Sequence, residues 1–255
     1  MHRFPAGHRS ALLSGLAACA VLGAVLAVAW PAGSHRAPTV YAAASLRSVL
    51  PALDGAPSYS FAGSDVLQTQ IERGGPADVF AAASAKQPQA LFAAGRCDRP
   101  VTFATNRLVL VVPAAGGAVR SLATLRSGGR RLAVGTPGVP VGAYTRTLLD
   151  ALGATAVLAR NTVSQEKDVA SVLAKVALGS ADAGFVYHTD ALTARGRVRE
   201  IALPARGQPP VTYQLCAVRR GGADRSGARA FIRHITGPDG RRALAEFGFG
   251  LPPRG

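Results

Sequence analysis

From residue 39 onward, short apolar segments alternate with segments whose apolar residues recur every three or four positions. The first pattern predicts buried strands, and the second predicts helices that cover them. Strands that alternate with helices build parallel sheets with helices on both faces, so the sequence predicts an α/β fold. The predicted strands are 39–44, 58–61, 79–82, 108–112, 132–135, 157–161, 184–186, 198–202 and 211–218. The predicted helices are 65–72, 86–94, 144–152, 167–178, 190–195, 225–235 and 238–246.

Two of these strands run into a small-residue turn and then a serine. Ser45 follows the strand at 39–44, and Ser64 follows Phe61, Ala62 and Gly63. The unpaired N–H groups at a helix start, together with a serine hydroxyl, suit a small anion. A serine in this place is more often only a helix cap. The pair therefore indicates an anion site without establishing one.

Further motifs follow in an order that resembles one family. They are AAASL at 42–46, QIERGGPADVF at 70–80, ATNRLVLVVP at 104–113, LAVG at 132–135, VPVGAY at 139–144, DV at 168–169 and ADAGFVY at 181–187. The chain resembles the periplasmic molybdate-binding proteins of ABC importers, type II solute-binding proteins, over nearly all of residues 39–252.

The resemblance implies a two-lobed periplasmic-binding-protein fold. Each lobe would be a mainly parallel sheet flanked by helices, with the ligand cleft between the lobes. Lobe 1 would comprise residues 39–107 and 216–255, and lobe 2 residues 108–215. The chain would cross between the lobes near residues 105–112 and 211–218.

The same resemblance assigns molybdate or tungstate to five residues. Ser45 and Ser64 would bind through hydroxyl and backbone N–H, Val141 and Val169 through backbone N–H alone, and Tyr187 through its hydroxyl. Neutral donors to a charged oxygen contribute about 1.5–3 kcal/mol each, so several can replace the hydration shell of a dianion. No cofactor is expected, and molybdenum would enter only as the oxyanion. The sequence does not rank the two anions.

Two features depart from the family. The interval between Ser45 and Ser64 is shorter than usual, and Asp65 replaces the small hydroxyl residue that commonly follows the second serine. A carboxylate facing a dianion about 4 Å away would cost about 2 kcal/mol even in a water-like dielectric. We expect Asp65 to turn outward and cap its own helix, where negative charge is favourable. If it points inward, molybdate affinity would be weak.

Residues 1–37 form a targeting segment, because an uncharged apolar run from 10 to 30 follows basic residues. Three outcomes stay open: cleavage after Ala29, acylation of Cys19 as a lipoprotein, or retention as a membrane anchor. All three place the domain outside the cytoplasmic membrane, in the periplasm or on the cell surface.

Cys97 and Cys216 are the cysteines that follow this segment. An oxidising compartment would allow them to form a disulfide, and two separate buried thiols are the alternative. A protein metal site is not expected, since none of the five histidines has ligand spacing with a cysteine.

The basic excess does not indicate nucleic acid. The formal net charge is +15, from 29 lysine and arginine residues against 14 acidic ones. The arginines are scattered singly or in pairs, with no basic helix and no alternation with aromatic residues. We therefore attribute the charge to a general compositional bias and expect no nucleic-acid partner.

The leading hypothesis is a monomeric solute-binding protein that delivers molybdate or tungstate to the permease and ATPase of an ABC importer, without catalysis. A second hypothesis is an ester hydrolase with Ser45 or Ser64 as nucleophile, although no histidine or lysine lies near either serine in sequence. A third is a surface interaction module with a vestigial oxyanion cleft.

Overall fold

The computed structural model describes residues 36–253, which form strands and helices in alternation. The strands are β1 (Thr39–Ala43), β2 (Ser58–Ala62), β3 (Val79–Ala82), β4 (Val101–Asn106), β5 (Leu108–Pro113), β6 (Leu132–Gly135), β7 (Thr162–Glu166), β8 (Ala183–Tyr187), β9 (Val198–Ile201) and β10 (Val211–Ala217). The α-helices are α1 (Val49–Leu53), α2 (Ser64–Glu72), α3 (Lys86–Ala93), α4 (Leu122–Arg126), α5 (Pro140–Ala151), α6 (Ala156–Asn161), α7 (Val169–Ala177), α8 (His188–Thr193), α9 (Arg225–Thr236) and α10 (Pro238–Glu246). A 3-10 turn, Ala44–Leu46, follows β1 directly.

The strands form two five-stranded sheets with the same plan. The first has the order β2-β1-β3-β10-β4, and the second has the order β7-β6-β8-β5-β9. In the first sheet β10 runs antiparallel to both neighbours, and in the second sheet β5 does so. All other strands of a sheet share one direction. The predicted two-lobed α/β fold with mainly parallel sheets is therefore confirmed.

The chain passes between the sheets twice. Arg107 alone separates β4 of the first sheet from β5 of the second, and residues 202–210 lead back to β10. The whole of β10 pairs within the first sheet. This pairing assigns residues 211–215, which we expected in lobe 2, to the first sheet. The division into lobes is otherwise a prediction.

Burial on both faces explains why the central strands could be predicted from the sequence. Five consecutive residues of β5, Leu108 to Val112, are fully buried, as expected for a strand covered on both faces. The prediction of a strand at 157–161 was wrong, because these residues form α6 and the strand is the following β7. A short apolar run does not distinguish helix from strand, and β7 is an edge strand of mostly polar residues. Strand β4 and helix α4 were not predicted.

A buried carboxylate joins distant parts of the first lobe. Asp78 is fully buried, and its Oδ2 accepts from Arg36 Nη2 and from the Thr39 N–H, each at 2.9 Å. Its Oδ1 accepts from Arg220 Nη2 at 2.6 Å and from the Asp224 N–H at 3.1 Å. A buried charge needs such compensation, so Asp78 has a structural role for which the sequence offered no assignment.

Cys97 and Cys216 are both buried free thiols in one small apolar cluster. Cys97 pairs with Val218 across an antiparallel bridge, which makes Cys216 its diagonal neighbour on the same face. The hydrogen bond with Cys97, followed by burial, raises the pKa of the Cys216 thiol. Their pairing as a disulfide stays a prediction.

The expectations for the targeting segment, including cleavage after Ala29 and acylation of Cys19, concern residues that lie outside the described part of the chain. Within residues 36–253, no helix is long and apolar enough to cross a membrane.

Candidate functional site

A small cavity lies where the carboxyl ends of strands from both sheets meet. Its free volume is about 10 Å³, far below the roughly 300–1,000 Å³ of pockets for drug-sized ligands. All five residues assigned by the resemblance line it. The full lining is Ala43, Ala44, Ser45, Ala62, Gly63, Ser64, Ala83, Val139, Pro140, Val141, Asp168, Val169 and Tyr187.

The first lobe contributes two serine hydroxyls. Ser45 lies in the 3-10 turn after β1, and Ser64 is the first residue of α2, with Gly63 as its N-cap. Ser64 Oγ accepts the Ala83 N–H at 3.1 Å, and Ser45 Oγ accepts the Tyr213 hydroxyl at 3.0 Å. A hydroxyl that accepts a bond from the protein still has its own proton to donate. Both serines can therefore act as donors toward the cavity.

The second lobe contributes two helix N-termini. Val141 is the second residue of α5, and Val169 is the first residue of α7. N–H groups in the first turn of a helix have no partner within the helix, and the helix dipole favours an anion there. Among the described residues, Asp168 is the only charged side chain of the lining, and its Oδ1 accepts the Ser171 N–H at 2.8 Å. This carboxylate is therefore engaged in capping α7.

Tyr187 ends β8 and carries a buried polar atom with no protein partner. Its side chain is 1% exposed, and among the described residues nothing forms a hydrogen bond with its hydroxyl. Burial above all, with smaller effects of Tyr213, Tyr144 and Asp190, raises the pKa of Tyr187 well above its usual value. The hydroxyl therefore keeps its proton. A buried hydroxyl without a partner is costly, which indicates that a ligand completes it.

A buried acid lies directly beyond Tyr187. Asp190 Oδ2 accepts the Tyr187 N–H at 3.3 Å. Burial, with a smaller contribution from the nearby Asp168, raises the pKa of Asp190 to about 7 in spite of the lowering effect of this N–H. Near neutral pH the carboxyl is partly protonated, so it places less than a full negative charge behind the cavity.

Close backbone packing sets the position of α5. A Cβ atom on Gly142 would lie 2.0 Å from the Thr136 carbonyl oxygen and 2.4 Å from that of Gly135. Only glycine allows this approach, which brings the start of α5 against the end of β6. The Val141 N–H is thereby held at the cavity.

The two lobes touch at the rim of the cavity. A Cβ atom on Gly63 of the first lobe would lie 2.3 Å from the Lys167 carbonyl oxygen of the second. A Cβ atom on Gly138 of the second lobe would lie 3.0 Å from Asp65 Oδ2 of the first. The cavity is therefore closed on this side by direct contact between the lobes.

Asp65 lies outside the cavity lining, as expected, but the expectation that it caps its own helix was wrong. The N-cap of α2 is Gly63, and no side-chain cap bond is formed. Asp65 Oδ1 is buried, and no partner for it occurs among the described residues. As the second residue of α2, Asp65 lies beside the rim contact, and it is not part of the cavity lining.

The sequence analysis did not identify Tyr213 and Asn106, which lie behind Ser45. Tyr213 donates to Ser45, and Asn106 Nδ2 approaches the Tyr213 hydroxyl at 3.5 Å. The only available signals were the asparagine of the ATN motif and a tyrosine inside an apolar strand, which is usually a core residue. In the described part of the chain, no cluster of histidine, cysteine and acidic residues could hold a metal ion.

Comparisons with known proteins agree with this architecture. A family model of bacterial extracellular solute-binding proteins matches residues 57–250. Molybdate-binding protein ModA of Mycobacterium tuberculosis is 36% identical over 252 residues, covering 94% of this chain and 95% of that protein. Its namesake from Escherichia coli is 32% identical over 231 residues, covering 83% and 88%. The chain therefore belongs to the bacterial extracellular solute-binding protein family and, within it, to the ModA type.

A solved structure is also similar. The periplasmic molybdate-binding protein of Azotobacter vinelandii aligns with a TM-score of 0.76 and 25% sequence identity, covering 85% of this chain and 100% of that one. The resemblance inferred from the motifs is thus confirmed at the level of the family and the fold.

Proposed function

We propose that this protein captures molybdate, or equally tungstate, outside the cytoplasmic membrane and delivers it to the permease of an ABC importer. The observation that supports the ligand most directly is the unpartnered Tyr187 hydroxyl in a cavity lined by the hydroxyls of Ser45 and Ser64. The N-termini of α5 and α7 add backbone donors from the opposite side. Within residues 36–253, no lysine or arginine lines the cavity.

The arrangement of donors favours an anion that carries no proton. Ser64 and Ser45 each accept a bond from the protein, which leaves the proton of each hydroxyl free to be donated to an anion. Hydrogen phosphate would have to donate its own proton into this set of donors, and the Ser171 N–H already engages Oδ1 of Asp168, which leaves Oδ2 as the free carboxylate acceptor among the described lining residues. Molybdate and tungstate at neutral pH only accept. A phosphate proton left without an acceptor in the cavity opposes binding, so the site should prefer molybdate and tungstate to hydrogen phosphate.

The transport role is supported by the relatives named as molybdate-binding proteins. We propose a monomer that closes its lobes over the anion and docks on a membrane permease driven by a cytoplasmic ATPase. We further propose the periplasm or the cell surface as its location, with the targeting segment as leader or anchor.

We infer no catalysis at this site. An enzyme with a serine nucleophile needs a base within hydrogen-bonding distance. In the described residues, Ser45 is paired with a tyrosine hydroxyl and Ser64 with a backbone N–H, and neither can take up the serine proton.

Isothermal titration tests the proposal, on a chain that begins at His35 and so retains Arg36. Residues from His35 onward form a compact unit of their own. Molybdate and tungstate should release heat at submicromolar affinity, and sulfate and phosphate should bind far more weakly. Ser64→Ala and Tyr187→Phe should each weaken binding about 10–100-fold, the loss of one hydrogen bond to a charged oxygen.

The matched control is Tyr59→Phe. The Tyr59 hydroxyl donates to the carbonyls of Asp54 and Leu50 in the first lobe, away from the cavity lining, so its loss should leave affinity unchanged. Absence of heat with all four anions would contradict the proposal and favour the alternative, an interaction module with a vestigial cleft.

A further inference from the structure

Tyr213 lies directly behind the first-lobe serine. It belongs to β10 and is fully buried, outside the set of residues that line the cavity. Its hydroxyl donates to Ser45 Oγ at 3.0 Å, while Asn106 Nδ2 approaches the same hydroxyl oxygen at 3.5 Å. The tyrosine has a single hydroxyl proton, and Asn106 offers only protons from Nδ2. The hydrogen bonds therefore run in one direction, with Asn106 donating to Tyr213 and Tyr213 donating to Ser45.

The ring of Tyr213 is fixed by three edge-to-face contacts. Its centroid lies 5.4 Å from that of Phe249, 6.1 Å from that of Phe103 and 5.9 Å from that of Tyr187. Such pairs favour one ring orientation. Tyr213 therefore contacts a ligand-facing residue of each lobe, Ser45 through its hydroxyl and Tyr187 through its ring.

Asn106, the first donor of this hydrogen-bond series, lies at the crossing between the lobes. It is the last residue of β4, next to Arg107, which alone separates β4 from β5. Its Nδ2 also donates to Thr189 Oγ1 at 2.9 Å, in the helix that follows Tyr187. One amide thus connects the serine side of the cavity with the tyrosine side.

We propose that Tyr213 is a positioning residue for the anion: it occupies the acceptor side of Ser45 and thereby holds that hydroxyl as a donor into the cavity. A free serine hydroxyl rotates, and can donate to an anion or accept from one that carries a proton. With a donor fixed behind it, Ser45 presents its proton. Tyr213 would therefore set both the affinity for an unprotonated dianion and the rejection of hydrogen phosphate. This inference rests on the proposed function.

The test compares Tyr213→Phe with the unmodified protein by titration with molybdate and by competition with phosphate at pH 7.5. The substitution removes the hydroxyl and keeps the ring contacts. Molybdate affinity should fall about tenfold, and the ratio of molybdate to phosphate affinity should fall further, because Ser45 regains the freedom to accept. Tyr59→Phe, which also removes one tyrosine hydroxyl, should change neither quantity.

A second arm separates positioning from general damage. In the Ser45→Ala background, Tyr213→Phe should have no further effect on affinity or on the ratio. An equal loss in both backgrounds would overturn the inference, as would an unchanged ratio in the single variant. If the unmodified protein binds molybdate and Tyr213→Phe binds it with the same affinity, the inference fails and the proposed function stands. If the unmodified protein binds no anion, the proposed function fails and the inference fails with it.

A measurement on the unmodified protein covers the case in which Tyr213→Phe does not fold. The Tyr213 hydroxyl proton should be observable by NMR as a signal protected from solvent exchange, because it is buried and donated to Ser45. Rapid exchange of this proton with solvent would overturn the inference.

Discussion

The two halves of the cavity are built on sheets of the same strand order and use different atoms. The first lobe offers side-chain hydroxyls, those of Ser45 and Ser64. The second offers backbone N–H groups at the starts of α5 and α7, together with Tyr187. A hydroxyl disappears when the residue is changed, whereas a backbone N–H survives every substitution except proline. Conservative substitutions should therefore weaken anion binding when they fall on the hydroxyls of the first half, and leave it nearly unchanged when they fall on the two valines of the second half.

The second half also explains why valine is acceptable at two of the proposed ligand positions. Val141 and Val169 direct their side chains to buried surroundings, and their contribution to an anion would come from the backbone alone. The helix dipole adds favourable potential at both positions, independent of the side chain. Side-chain identity in this half is thus set by packing, and in the first half by hydrogen bonding.

The largest effect is expected where the two halves touch. The Gly63 backbone, with φ of −61°, suits alanine, but the added Cβ atom would lie 2.3 Å from the Lys167 carbonyl oxygen. The Lys167 backbone cannot move aside as a flexible side chain could, so Gly63→Ala should hold the lobes apart. We expect molybdate affinity to fall at least about 100-fold, or about 2.7 kcal/mol, with little change in the melting temperature of the unliganded protein.

The matched control is the same substitution on the facing lobe, at the same rim. A Cβ atom on Gly138 would meet Asp65 Oδ2 at 3.0 Å, the end of a side chain that can move. Gly138→Ala should change affinity by less than about threefold. Equal losses in the two variants, measured by calorimetry, would show that the rim contact does not control closure.

The next prediction tests whether the second half of the cavity binds the anion through backbone N–H groups. Val169 is the first residue of α7, where proline is well tolerated, and the preceding Asp168 is extended, with φ of −159° and ψ of 167°. Val169→Pro therefore removes one N–H without breaking the helix. Affinity for molybdate should fall about 10–100-fold, as for loss of one bond of about 1.5–3 kcal/mol.

Val169→Ala is the control for this prediction, because it keeps the N–H and shortens the side chain. Its affinity should stay within about threefold of the unmodified protein, with some loss of thermal stability from the buried volume. If alanine and proline weaken binding alike, the second half does not bind through its backbone.

The same contrast shows what the sequence could and could not predict. Strands such as β5 are continuous apolar runs, and the cavity residues fall in motifs, so fold and lining were accessible. The edge strand β7 has a polar sequence and was not predicted, whereas the preceding α6 has an apolar one and was predicted as a strand. Tyr213 was missed because its role depends on a hydrogen bond to Ser45 across 168 sequence positions. Such pairing is created by the fold and leaves no local pattern.

The smallest effect concerns a charge at the rim of the first half. Asp65 Oδ2 lies at the rim contact with Gly138, and its Oδ1 has no hydrogen-bond partner among the described residues. A unit charge and a dianion about 8 Å apart repel by about 1 kcal/mol in a water-like dielectric. Asp65→Asn, which keeps the shape, should therefore raise molybdate affinity about fivefold at low salt and less at high salt. Glu72→Gln, at the far end of α2, removes the same charge and should have a smaller effect. Tighter binding in both variants by the same factor would mean that net charge acts and not the rim position. Weaker binding in Asp65→Asn would mean that this carboxylate holds the lobes together, which would make the first half responsible for closure as well as for hydroxyl donation.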